Sequence, residues 1–260
     1  MYVRSKILRS PHAFATRNGG ISTLEHTRSL NLAFGRGDER ETVLENLKIF
    51  AAEVGFEPES VVSYPQIHSD KIYKVGKANA GEGYFITNGI PEGDGYITNE
   101  KRVTLGIKTA DCTPILFEAE KDGDIVAVGA THAGWRGTVA GIAPKCVKML
   151  CDEYGVKPQE IRVAIGPCIH MCCYAVGDDL LVAVTDALGE NVASKFVTRE
   201  GDRLVCDLPS LNRHLLLAAG IPDENIDTIN ECTCCNPDKY FSHRYSKGHR
   251  GTMLNVIFMG

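Results

Sequence analysis

Between residues 40 and 54, Val43, Leu44, Leu47, Phe50, Ala51 and Val54 recur at the spacing of one face of an α-helix. Gly55 and Pro58 then stop it. A second helical repeat covers 137–154, where Val139, Ile142, Ala143, Cys146, Met149 and Leu150 face one way. Pro144 fits there in the first turn, or else as a kink. Short apolar runs at 103–107 (VTLGI), 114–118 (PILFE), 124–130 (DIVAVGA) and 161–165 (IRVAI) read as buried strands. Further helices are predicted over 178–188 and 209–219, the latter with Pro209 near its first turn. Strands are predicted over 203–207 and 252–258 (TMLNVIF). Strands and helices do not alternate regularly, so the pattern predicts a mixed α/β (α+β) fold and neither a Rossmann nor a TIM topology. No repeat, low-complexity tract or linker interrupts the chain, and 1–260 reads as one domain.

Composition adds exclusions. With 43% hydrophobic and 23% charged residues, the chain is neither disordered nor fibrous. Its 28 basic and 33 acidic residues give a net charge of -5, which offers no bulk attraction to nucleic acid. No apolar stretch approaches the roughly 18–20 residues that span a bilayer. The N-terminus, MYVRSKILRSPHAF, lacks the apolar core of a signal peptide, so a cytoplasmic location is expected and no membrane partner. In that setting the ten cysteines read as reduced thiols, metal ligands or a nucleophile, not as a disulfide framework.

Three segments combine reactive side chains with turn-forming neighbours: 65–70 (PQIHSD), 109–114 (TADCTP) and 131–137 (THAGWRG). His68, Cys112 and His132 form a candidate His/Cys/His set. Imidazole nitrogen and thiolate sulfur suit Zn²⁺, and three protein ligands leave a fourth position open, as in catalytic sites. The same residues also suit a Cys112 nucleophile with a histidine base, which needs no metal. The plain alternative is a packed thiol and two hydrogen-bonded histidines. His132–Gly137 leads from a strand into a helix, where amides and Arg136 favour an anion. Trp135 reads as packed core. Two dense cysteine segments, 166–174 (GPCIHMCCY) and 231–237 (ECTCCNP), hold Cys168, Cys172, Cys232 and Cys235. A structural zinc site drawing on both is one reading and buried thiols the other. Cys146, Cys151 and Cys206 read as core filling. Arg17 in the 16–20 turn, Arg244 in 242–244 and Arg250 in 249–251 are candidate anion contacts. Walker, dinucleotide, nucleophile-elbow and His-Glu-x-x-His signatures are absent.

The combination of TADC, HAGWRGT and IGPCI (165–169) resembles the YfiH family, once described as multicopper polyphenol oxidase or laccase-domain proteins. Further matching stretches run in family order along nearly the whole chain, among them AFATRNGGIS (13–22), SLNLAFGRGD (29–38) and ECTCCNPDKYFSHR (231–244). The resemblance implies a single-domain four-layer α-β-β-α sandwich, similar to bacterial toxin cysteine deamidases. It implies that His68, Cys112 and His132 are metal ligands. It implies zinc-dependent phosphorolysis of adenosine, inosine and 5′-methylthioadenosine, with adenosine deamination besides. The partners expected are therefore a small nucleoside and phosphate, with no oligomeric state specified. On that reading Arg17 and Arg244 are candidate phosphate clamps, and Asp111 is a candidate general acid/base or a partner orienting the metal ligands. Some bacterial relatives are linked to removal of wrongly incorporated serine from peptidoglycan precursors, and older descriptions report copper-linked phenol oxidation. Laccase chemistry needs several coppers, and eight scattered histidines cannot build that ligand set, so copper is read as adventitious. The chain departs from the family where many members carry paired arginines, here Arg244-Tyr245, and where many carry Thr-Gly-Arg, here Arg250-Gly251-Thr252.

Overall fold

The computed structural model describes residues 1–260. The chain opens with strands β1 (Tyr2–Val3) and β2 (His12–Ala15), helix α1 (Arg40–Val54) and strands β3 (Val61–Val62), β4 (Ile72–Lys74) and β5 (Gly95–Thr98). The long central run follows: β6 (Thr104–Thr109), β7 (Thr113–Lys121), β8 (Asp124–Ala133), α2 (Trp135–Val139), α3 (Ile142–Tyr154) and β9 (Ile161–Ile165). Then come β10 (Ala175–Val176), α4 (Asp178–Leu188), α5 (Glu190–Phe196), β11 (Val197–Glu200) and β12 (Arg203–Cys206). Helix α6 (Leu208–Ala218), β13 (Ile226–Thr228) and β14 (Met253–Phe258) complete it.

Two sheets stack face to face. One has the order β1-β2-β14-β6-β3 and the other β13-β9-β7-β8-β5-β4. Alternation along each strand divides its side chains between two cores. On β14, Leu254, Val256 and Phe258 pack with α1, while Ile257 points to the facing sheet. On β7, Ile115, Phe117 and Ala119 pack with α3 and Leu216 of α6, while Leu116 meets Phe14 and Ile107 of the first sheet. The layers are therefore α, β, β, α, as the resemblance implies. Each fully buried Leu, Ile or Phe in these cores contributes about 1.5–3 kcal/mol. A small sheet, β10-β12-β11, packs with α4 and α6 in a satellite core.

Three sequence expectations are corrected. The repeat over 137–154 is two helices, because the chain turns through Gly141 at φ +79, a left-handed conformation that glycine takes without steric cost. Pro144 falls in the first turn of the second helix, where its missing N–H is harmless. Strands β7 and β8 also run well past their apolar segments. Glu118, the last residue of the predicted 114–118 run, is fully buried and accepts from the Arg9 and Ser10 amides and from Arg162, and β7 continues beyond it to Lys121 by pairing with β8. Trp135 is half-buried rather than enclosed, packing beside the satellite core with Arg136 over its ring at 4.2 Å.

Candidate metal centre and catalytic cleft

His68, Cys112 and His132 come from three different segments. His132 lies near the end of β8, opposite Pro114 of β7, where the ladder fixes its backbone. Cys112 occupies the tight β6–β7 turn. His68 lies on the loop between β3 and β4, with φ +59. The ligand atoms of the three residues lie within 4.8 Å of one another, and Cys112 Sγ is 3.8 Å from His68 Nε2.

Asp94, just before β5, organises this group, and nothing in the sequence singled it out. It is fully buried. Its Oδ1 accepts from His132 Nδ1 (2.8 Å) and the His68 amide (3.0 Å), and its Oδ2 from the Ser69 amide and hydroxyl (2.7 Å each). Burial alone would raise this carboxyl, but the hydrogen bonds from His132 and Ser69 outweigh it and bring it down to about 2. An ionised carboxylate only accepts, so His132 carries its proton on Nδ1 and turns Nε2 toward the cluster. One carboxylate thus fixes the tautomer of one ligand and the strained backbone of another.

The cluster is electrostatically coupled. Burial pushes the Cys112 thiol up, but the charge and hydrogen bond of His132, with His68 added, bring it down to about 6. Burial likewise lowers His132, and the Cys112 charge with the Asp94 hydrogen bond reverses this, to about 9. Both shifts favour a thiolate beside an imidazolium, a pair suited to exchange its proton for a cation. Tetrahedral zinc places sulfur and nitrogen ligands about 3.6 Å apart, close to the 3.8 Å seen between Cys112 and His68. The donor set therefore fits zinc. Gly134 leaves the space for it, because a Cβ there would stand 2.7 Å from His68 Cδ2 and 3.3 Å from Cys112 Sγ.

Two clefts share His68, Cys112 and Arg250. One, of about 260 Å³, is lined by Arg36, Gln66 and Lys108, and also by His132. The other, of about 340 Å³, is lined by Ile169, Tyr174, Leu208, His243 and Arg244. Arg36, Lys108 and Arg250 have no carboxylate in ion-pair contact. Burial and the charge of Arg36 lower Lys108 to about 8 and Arg250 to about 10. Arg250 Nε is buried without a hydrogen-bond partner. Among the anion candidates from sequence, Arg17 lies in a neighbouring cleft that shares Arg250 with these two, stacks on Phe241 at 4.7 Å and donates to the Arg28 and Pro237 carbonyls. Arg244 does reach the cleft beside Cys112, with its guanidinium held by the Cys173 and Ala175 carbonyls. Asp111, at φ +94, accepts from the Thr233 hydroxyl (2.6 Å) and the Arg244 amide (2.7 Å), one donor on each oxygen. Arg36 and Lys108 were missed, since each is an isolated cation in an otherwise ordinary strand or turn.

Comparison with known proteins agrees with this architecture. Residues 11–260 match the family model described as multi-copper polyphenol oxidoreductase laccase. Purine nucleoside phosphorylase YlmD of Geobacillus stearothermophilus is 37% identical over 243 residues, covering 93% of this chain and 87% of YlmD. Adenosine deaminase RL5, of unknown prokaryotic origin, is 31% identical, covering 98% of this chain and 96% of RL5. The crystal structure of YfiH from Bacillus licheniformis superposes with a TM-score of 0.88 at 33% identity, covering 96% of this chain and 92% of YfiH. On sequence, fold and extent together, the chain belongs to the YfiH family, the group whose model bears the laccase description.

Proposed function

We propose that this chain is a purine nucleoside phosphorylase that also deaminates adenosine, working where the two clefts meet at Cys112. The observation that carries the reading is their complementarity: three cations without counter-ions on one side, an aromatic and aliphatic wall on the other. Phosphate suits the first, through charge-assisted hydrogen bonds from Arg36, Lys108 and Arg250. The flat purine suits the second, against Tyr174, Ile169 and Leu208. Phosphorolysis joins a phosphate oxygen to the sugar C1′ as the base departs, so the two reactants must be held side by side. Burial foremost, and then the charge of Arg250, lower the pKa of His243. Its neutral ring offers the departing base one donor and one acceptor. Asp111, with a donor on each oxygen, positions the 233 and 244 segments rather than moving a proton. Arg17 is set aside as a phosphate clamp because its guanidinium is spent on carbonyls in another cleft. Zinc held by His68, Cys112 and His132 would supply Lewis-acid polarisation and would acidify water for hydrolytic removal of the purine 6-amino group. The names of YlmD and RL5 support the two activities.

The test is phosphate-dependent base release from adenosine and inosine, with metal content measured on wild type and Cys112→Ala. Turnover in wild type is expected, and in the variant it should be lost together with the zinc held by His68, Cys112 and His132. Bound zinc with no base release from either nucleoside would overturn the substrate assignment. The lowered Cys112 thiol favours one second reading, a metal-free cysteine hydrolase acting on an amide. Full activity in chelator, with rapid alkylation of Cys112, would select it.

A further inference from the structure

A second sulfur cluster lies outside the cleft. Cys172 and Cys173 sit on the loop between β9 and β10, and Cys232 and Cys235 on the loop between β13 and β14. A short parallel bridge pairs Cys168 with Cys232. The Thr233 amide donates to the Cys168 carbonyl (2.9 Å), and the His170 amide points at Cys232 Sγ at 3.5 Å. This bridge brings the four sulfurs together. Cys235 Sγ is 3.5 Å from that of Cys172 and 3.4 Å from that of Cys173, and all four lie within 4.8 Å of one another. Four thiolates around zinc, each about 2.3 Å from it, stand about 3.8 Å apart. A disulfide needs sulfurs about 2.05 Å apart. Observed spacings match the first. Cys168, grouped with these residues by sequence density, is buried and outside the set, and Cys173 takes its place.

We propose that Cys172, Cys173, Cys232 and Cys235 bind a Zn²⁺ ion in a closed four-thiolate site, separate from the His68/Cys112/His132 centre. The ion replaces the thiol protons, which leave to solvent, and no electron changes hands. Four sulfur ligands leave no open position, so the role is structural. What the site fastens is specific. Arg244 donates to the carbonyls of Cys173 (3.1 Å) and Ala175 (2.8 Å), so a ligand residue holds an arginine of the cleft. Asp111 receives Ile169 through its carbonyl, and Thr233 and Arg244 through its carboxylate. The ion therefore clamps the two loops that wall the cleft beside Cys112. This inference stands whether or not phosphorolysis is the reaction.

The experiment counts metal in whole protein isolated without added metal and dialysed against a moderate chelator. Wild type is expected to hold two zinc ions per chain. Cys112→Ala should hold one, and cobalt exchanged into that variant should show the strong thiolate-to-cobalt charge-transfer absorption of an all-sulfur tetrahedral site. Cys172→Ser/Cys235→Ser should lose one zinc and keep the other. A wild-type content of one zinc that falls to none in Cys112→Ala overturns the proposal. So does an intact mass of freshly isolated, unreduced protein two mass units low with the link mapped to these four cysteines. The wild-type and Cys112→Ala arms decide the matter even if the double variant does not fold.

Discussion

His132 projects from a ten-residue strand and is held by a carboxylate with no solvent exposure, whereas Cys172 and Cys235 are exposed on loops whose only regular pairing is one bridge. The His/Cys/His group has three ligands and two clefts opening on it. The four-cysteine group has four sulfurs within 4.8 Å of one another, enough to close a tetrahedral site. Zinc chemistry assigns these arrangements different work, since an open position admits substrate and a closed set only ties chain segments together. The lesson lies in where the rigidity comes from. At the first centre the fold orders the ligands before any ion arrives, through Asp94. At the second, one short bridge and a few hydrogen bonds, those to Asp111 among them, gather the loops, so a bound ion would add most of the fastening.

The sharpest way to break this contrast is Cys112→Ala. It should reduce turnover by at least about a hundredfold, while the zinc at the four-cysteine site persists in metal analysis. Asp94→Asn comes next. An amide cannot accept from every donor that Asp94 satisfies, so metal affinity at the first centre should fall about 10–100-fold. Folding stability in denaturant titration should fall by about 3 kcal/mol. The stability that Asp94 confers is present above its unfolded pKa and is lost as pH falls toward about 2, so the wild-type advantage over Asp94→Asn should vanish in strong acid. Gly134→Ala should have a smaller, local effect. Its backbone conformation suits alanine, but the new methyl meets His68, so metal binding at the first centre should weaken several-fold, with the four-cysteine site unchanged. Smallest is a pH effect at Lys108. Its ammonium is charged below about pH 8 and neutral above, so on the proposed phosphorolysis the KM for phosphate should rise as pH climbs through that value. Lys108→Arg, charged throughout, should flatten the rise.

Helix α1 was legible almost to the residue, because its apolar face and its glycine stop are local signals. So were α4 and β9. Strands β3 and β10, each two residues long, carry no periodicity to read. The broken helix at Gly141 failed for a related reason, since a single left-handed residue leaves the apolar repeat on both sides intact. His68, Cys112 and His132 are too widely spaced for a spacing argument, and the resemblance picked out what the residues alone left open. Asp94 and Lys108 gave no signal, because their placement is long-range: Asp94 meets His132 and the 67–69 loop, and Lys108 of the facing sheet is joined to that loop through Gln66. Arg17 shows the converse: a plausible anion contact by sequence is drawn to backbone carbonyls when its neighbours fold around it.

Strand β14 occupies the middle of its sheet, between β2 and β6. While the chain is being synthesised, those two strands are made long before residues 253–258 and each must wait with an unpaired edge. Asp111 is in the same position, since its partners Thr233 and Arg244 are more than a hundred residues downstream. This half of the molecule therefore cannot assemble progressively on the ribosome. It closes in one late event, rich in long-range contacts and correspondingly slow, and the open edges of β2 and β6 are the surfaces a chaperone would have to shield until then.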